Sequence, residues 1–170
     1  MIESREYSRQ MDNTEDYDVV SQEIATRIFF RIYQCDNLIN KSVTNALAKY
    51  NTTSQQWATL GALSRSQAES GMTVGELSRY LNVSRQNLTG VLSRLEKRQL
   101  IEKITDNSDS RVRVVRLTQT GVDLWAEMRP VVNRYFSDML HGSSFDDNVA
   151  FLSHLNKLFG KLQASDTEGD

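Results

Sequence analysis

Between Thr73 and Arg98 the chain starts a helix twice, the second start eleven residues after the first. Thr73-Val74-Gly75-Glu76 has the spacing of a capping box. The threonine hydroxyl accepts from an otherwise unpaired amide while the glutamate reaches back to the cap. This opens a short helix to Leu81. Asn82-Val83-Ser84 makes a turn, and Ser84 caps a second helix to about Arg98. Leu77, Leu81, Val83, Leu88, Val91, Leu92 and Leu95 form the apolar set. That spacing packs two short helices at a steep angle around a small core. Arg85, Gln86, Asn87, Thr89, Gly90 and Arg94 are left for the outer face.

The segment that follows changes period. Ile101 to Thr105 and Val112 to Thr118 are β-branched runs on either side of the polar Asp106-Asn107-Ser108-Asp109-Ser110. They read as a hairpin with a five-residue tip. A basic ribbon beside a groove-sized helix is a means of holding DNA at two grooves at once.

Charge supports that reading only through its distribution. The chain is net −2, which alone argues against nucleic acid. Residues 79–116 hold nine Lys/Arg and four Asp/Glu, a balance of +5, and the remainder holds 11 against 18, or −7. A basic segment in an acidic body is the footprint of a phosphate-facing surface. The single cysteine, Cys35, excludes a disulfide framework within one chain. His141 and His154 have no zinc spacing, so no metal and no cofactor are expected. No apolar run is long enough to span a bilayer, and the polar N-terminus does not read as a signal peptide, so a cytoplasmic, membrane-free setting is expected.

The rest of the chain reads as helix. Residues 1–17 and 164–170 are polar and expected to be disordered tails. A first helix spans roughly Asp18 to Lys49, with Ile24, Ile28, Ile32, Cys35, Ile39 and Ala46 on a helical stripe. A helix of that length cannot bury one face within a small domain and needs a partner. A second helix, roughly Ser54 to Gln67, turns Trp57, Leu60, Ala62 and Leu63 inward. Beyond Gln119 a stripe of Leu124, Met128, Val131, Val132, Tyr135 and Met139 continues, with a kink or break expected at Pro130. After a loop at His141-Gly142-Ser143-Ser144, a last helix runs from Phe145 to Leu162. The expected organisation is a helical dimerisation region, 18–53 and 119–163, around a DNA-binding domain, 54–118.

The chemistry of the second short helix fits base reading. Its first turns would enter the major groove. Arg85 can donate twice to guanine, Gln86 and Asn87 can pair with adenine, and Ser84 and Thr89 serve phosphate or base. Gly90 lets the helix approach the backbone closely, and Arg94 suits a phosphate. On the ribbon, Ser110, Arg111 and Arg113 are the contact candidates. Arg111 is assigned to a narrow minor groove, with Asp109 holding it or setting the turn. A catalytic reading lacks converging acid, base or nucleophile, and no phosphate-cradling glycine loop is present.

Residues 54–125 resemble the winged-helix domain of the MarR family of bacterial transcriptional regulators. The likeness is carried by Val74-Gly75-Glu76-Leu77, Val83-Ser84-Arg85-Gln86-Asn87-Leu88-Thr89, Leu95-Glu96, Leu100-Ile101, Asp109-x-Arg111 and Leu117-Thr118-Gln119-Thr120-Gly121. The resemblance implies a mainly α fold with a small β-hairpin wing. It also implies a homodimer on a pseudo-palindromic double-stranded operator, acting as a repressor. Ile24–Ile39 and Val149–Leu162 are the candidate dimer seam. One departure is Gln99, where the family places glycine before Leu-Ile. A left-handed helix end favours glycine, so Gln99 must be strained or capped differently.

The resemblance further implies release by a small aromatic or phenolic acid bound between the two regions. Phe29, Phe30, Arg31, Tyr33 and Trp57 are the candidate lining, aromatic surfaces with one guanidinium for a carboxylate. Two alternatives stand beside this. A redox-sensing branch of the family uses a cysteine early in the first helix. Aligning Tyr33 with the family tyrosine places Phe29, not Cys35, at that position, and a thiol on an apolar stripe is inert when buried. The other alternative, a winged helix used only for protein contact, would show large apolar residues on the second helix's outer face, where this chain has Arg, Gln, Asn and Thr.

Overall fold

The structure, a computed structural model, describes residues 3–65, 70–105 and 113–167. It divides into two compact units, one running to Trp125 and the other from Ala126, with the division inside one helix. In order, the elements are α1 (Glu3–Ala46), a 3-10 turn (Ala48–Tyr50), α2 (Ser54–Leu63), β1 (Met72–Thr73), α3 (Val74–Leu81) and α4 (Arg85–Lys97). Then come β2 (Ile101–Thr105), β3 (Arg113–Leu117), α5 (Gln119–Met139) and α6 (Phe145–Thr167).

Helix starts follow local chemistry. Thr73 and Glu76 form the expected capping box: Thr73 Oγ1 accepts from Glu76 N at 3.2 Å, and Glu76 Oε2 accepts from Thr73 N at 2.8 Å. A second capping box, Thr53 with Gln56, opens α2 and was not anticipated. Ser144 caps α6, its Oγ accepting from Asp147 N at 3.1 Å.

Three element boundaries differ from expectation. α1 begins at Glu3 rather than Asp18, because nothing between them, neither glycine nor proline, stops a helix. α2 ends at Leu63, where Ser64 Oγ turns back to the Gly61 carbonyl at 2.9 Å. α5 is continuous through Pro130, so of the expected kink or break it is not a break. α6 likewise continues past Leu162 to Thr167.

The core of the first unit is the expected apolar set with additions from flanking elements. Leu77, Leu88, Val91, Leu92 and Leu95 are buried with Leu60, Leu63, Leu100, Ile101, Val114 and Val115. Two of the set are not: Leu81 is half-buried and Val83 is exposed. The reason lies in the turn. Ser78 Oγ donates to the Val83 carbonyl at 2.6 Å, and Asn82 takes a left-handed conformation, φ 52°, which turns the Val83 side chain outward.

The hairpin has the expected strands and one more partner. β2 and β3 pair antiparallel, Ile101 opposite Leu117 through Thr105 opposite Arg113, and β1 adds to the other edge of β3 as Met72 opposite Val115. The sheet order is β1-β3-β2. The tip that joins β2 to β3 lies outside the described residues.

The long helices carry their apolar residues in the open. Val43 and Leu47, at the end of α1, are buried, but Ile24, Ile28, Ile32, Ile39 and Cys35 are exposed. Cys35 is exposed within one chain together with Ile24, Ile28, Ile32 and Ile39 of its stripe. In α6, Phe145, Val149, Phe151, Leu152, Phe159 and Leu162 are exposed as well. Among the described residues no helix is long and apolar enough to cross a membrane.

Candidate nucleic-acid interface

α4 is built to show a polar ridge. Its buried stripe is Leu88, Val91, Leu92 and Leu95. At 3.6 residues per turn, Gln86, Gly90, Ser93 and Lys97 fall on the side opposite that stripe, and all four are exposed. Arg85, Thr89 and Glu96 flank the ridge on one side, Asn87 and Arg94 on the other. Ser93 and Lys97 were not singled out from the sequence, although the helical period that marks the core also marks them.

The first turn of α4 is pre-set. Ser84 is its cap, with Oγ accepting from Asn87 N at 3.2 Å. The serine O–H stays available to donate to a phosphate at a helix end that already favours anions. Thr89 Oγ1 donates to the Arg85 carbonyl at 2.8 Å. Its oxygen is left as an acceptor, and the side chain is exposed. Arg85 leans back over α3: a Cβ built on Gly75 would lie 3.3 Å from Arg85 Nη2. Asn87 is exposed and also lines a cavity of about 520 Å³ with Asp36, Asn40, Ser54, Val83 and others.

The basic segment is less uniformly cationic than its count. Lys103 Nζ pairs with Glu96 Oε2 at 2.6 Å, and Arg116 Nε with Glu102 Oε1 at 2.8 Å across the β2–β3 register. Both pairs are exposed, so each contributes little to stability, but both offset charge at the root of the ribbon. Arg98 is turned inward to backbone carbonyls. Arg85, Arg94, Lys97 and Arg113 remain exposed. Ser110 and Arg111, with Asp109, lie outside the described residues.

The root of the ribbon is set by two local features. Gln99 takes φ 58°, the left-handed conformation that favours glycine. It is held there by Leu100 N donating to Leu95 O at 3.0 Å and Thr118 Oγ1 donating to Gln99 O at 2.6 Å. α5 then begins against Leu100: a Cβ on Gly121 would fall inside contact distance of the Leu100 carbonyl oxygen and 3.0 Å from its carbon.

The residues proposed for an aromatic ligand are not brought into one cavity within the chain. Phe29, Phe30 and Tyr33 are exposed on α1, as is Arg31. Trp57 packs instead on Trp125, ring centroids 6.0 Å apart. The cavity between α1, α2 and α4 includes none of them, and its one charged lining residue is Asp36. Among the described residues no cluster of three metal-ligating side chains occurs.

Comparison with known proteins agrees with this architecture. Residues 50–112 match the family model of the MarR family. The transcriptional activatory protein BadR of Rhodopseudomonas palustris is 40% identical over 156 residues, covering 91% of this chain and 87% of BadR. A crystal structure of the S. aureus MepR–DNA complex superposes with TM-score 0.70 at 21% identity, covering 77% of this chain and 93% of that one. The PcaV transcriptional regulator from Streptomyces coelicolor, in complex with its natural ligand, superposes with TM-score 0.62 at 25% identity, covering 76% of this chain and 87% of that one. The distant structures share the fold, but a relative as similar as BadR over nearly its full length shares more than the fold, and its likeness spans the helix pair, the ribbon and the long helices together. This chain belongs to the MarR family and is a winged-helix, DNA-binding transcriptional regulator.

Proposed function

We propose that the protein acts as a homodimer whose two α4 helices enter successive major grooves of a pseudo-palindromic operator. The observation that carries the DNA-reading half is the outer face of α4, which offers guanidinium, amide, hydroxyl and a side-chain-free glycine, with no large apolar residue. Ser84, Arg85, Gln86, Asn87 and Thr89 would meet base edges and phosphate, with Arg94 on phosphate. Ser110, Arg111 and Arg113 would follow the adjacent minor groove. The dimer half is supported by the apolar stripes of α1 and α6, which a single chain leaves in water. Exposed apolar faces of this extent mark interaction surfaces. Such a protein works where the DNA is, in the cytoplasm.

The sign of regulation is a separate matter. The resemblance to the family implied repression, whereas BadR is named as an activatory protein. That name supports activation as the first outcome to test, with repression the opposite result of the same reporter assay.

For an effector, a small aromatic acid remains the reading. PcaV, which shares the fold, is known in complex with a natural ligand. The exposed Phe29, Phe30, Arg31 and Tyr33 would have to complete a site with Trp57 in the assembled dimer. The cavity beside Asp36 is a poor host for an acid, since its lining has a carboxylate and no cation.

The test is a mobility shift on the native upstream intergenic DNA at fixed salt, with and without a panel of aromatic acids. Specific binding that Arg85→Ala reduces by roughly tenfold, as expected for loss of a bidentate base contact, supports the groove assignment. Binding unchanged by Arg85→Ala and Gln86→Ala refutes it. No release by any acid refutes the effector reading alone.

A further inference from the structure

Arg98 ends α4, yet its guanidinium belongs to another part of the fold. Nη1 donates to the Asn51 carbonyl at 2.7 Å and to Thr52 Oγ1 at 3.3 Å, and Nη2 donates to the Tyr50 carbonyl at 2.9 Å. Thr52 Oγ1 in turn donates to the Tyr50 carbonyl at 3.0 Å, and Thr52 is 3% exposed. Asn51 sits at φ 50°, at the end of the 3-10 turn after α1, the bend that brings these acceptors to one guanidinium.

The same corner is tied to α1. Ser54 N donates to Thr44 Oγ1 at 3.0 Å, and Ser54 Oγ donates to Asn40 Oδ1 at 2.8 Å. Hydrogen bonds therefore tie one end of this short segment to α1 at Ser54 and the other to Arg98 at the Tyr50 and Asn51 carbonyls and Thr52 Oγ1, with the main chain from Tyr50 to Ser54 joining the two. The ion pairs Lys103–Glu96 and Arg116–Glu102 are exposed pairs between side chains. Arg98 differs in kind, since it meets main-chain carbonyls 47 and 48 residues away in sequence and is half-buried. A planar fork holds several acceptors in a fixed geometry, which a lysine does not reproduce.

We infer that Arg98 is a positioning residue for operator binding: it couples the angle of α4 to α1, and so sets the separation at which the two α4 helices of a dimer meet DNA. The inference rests on the dimer reading proposed above. In a dimer, the second half-site is bound intramolecularly, at an effective concentration that depends on how well the linking geometry matches the spacing. A loosened link lowers that effective concentration without changing what one α4 helix reads.

The experiment uses the full chain and an operator selected by the native protein from random duplexes. Affinity is measured for a single half-site, for the full operator, and for operators with one base pair inserted or removed at the centre. Arg98→Met is expected to lower full-operator affinity by about tenfold, keep half-site affinity within about threefold, and flatten the spacing preference. Arg98→Lys should give a smaller change of the same pattern. If Arg98→Met does not fold, Arg98→Lys and Ser54→Ala, which removes the bond to Asn40, decide by the same criteria. Equal losses on half-site and full operator, or no loss on either, overturn the inference while leaving the dimer standing. Sedimentation of the native protein is read separately: a monomer on operator DNA refutes the dimer reading and this inference with it.

Discussion

Replacing Gly121 with alanine should destabilise the protein, although alanine is the better helix former. The residue lies in the first turn of α5, which follows β3 closely, and its Cα faces the Leu100 backbone. An added Cβ would overlap the Leu100 carbonyl oxygen and stand 3.0 Å from the carbonyl carbon, so no side chain can yield to admit it. Leu100 cannot move freely. Its amide closes the α4 end on Leu95 O, its carbonyl accepts from Thr118 N at 3.1 Å, and it is 3% exposed. Separation of α5 from this turn costs about 1–3 kcal/mol, the usual cost of overpacking. Loss of the Thr118–Leu100 bond adds about 1 kcal/mol, and alanine's helix propensity returns about 1 kcal/mol. The net is a destabilisation of about 1–3 kcal/mol, or roughly 2–4 °C in Tm per kcal/mol for a chain of this size. Urea unfolding at one fixed protein concentration measures it, since dimerisation would make stability concentration-dependent. A Gly121→Ala protein as stable as the native one, or more stable, would falsify the claim that this glycine is a spacer between α5 and the ribbon root.

The same substitution at Gly90 should do the reverse to stability. Nothing lies within 4 Å of a Cβ there, so Gly90→Ala should raise stability by about 1 kcal/mol through helix propensity. It should also weaken operator binding in a mobility shift if the helix approaches DNA at that point, and unchanged affinity would refute the close approach. Gln99→Gly should stabilise by about 0.5–1 kcal/mol. Relief of a left-handed side chain, worth roughly 1–2 kcal/mol, exceeds the added entropy of the unfolded chain, and a lower urea midpoint would contradict this. Ile28→Glu changes an exposed residue. A monomer should tolerate it, whereas a dimer seam through α1 predicts dissociation in sedimentation, and an unchanged dimer would remove Ile28 from the seam.

What was legible in the sequence shares one property, short range. The caps at Thr73 and Ser84 each join a side chain to an amide three residues on. The stripe of Leu88, Val91, Leu92 and Leu95 repeats within one helix. Gln99 was marked as a strained position because the residue type conflicts with a left-handed helix end, and the structure places it there. The start of α1 was not legible, because a run without helix breakers has no local stop signal. The β1 strand was missed because its two residues gain partners only in the fold, where Val115 meets Met72 and Val114 meets Thr73, 43 and 41 residues further along the chain. Counting charges could not tell which cations are paired, since Glu96 and Glu102 are placed on Lys103 and Arg116 by packing.

The sequence by itself determined the order of helices, the turn between α3 and α4, the ribbon that follows, and the residue types on the outer face of α4. Those follow from capping, periodicity and turn chemistry, which act over a few residues. The tertiary structure decided which cations stay free, that Arg98 serves the corner after α1 rather than DNA, and that Gly121 leaves room for a backbone. It also decided that, among the described residues, Ile24, Ile28, Ile32 and Ile39 of α1 and Val149, Leu152, Phe159 and Leu162 of α6 are exposed. Each of these depends on distances between segments far apart in sequence, and such distances exist only once the core has brought the segments together.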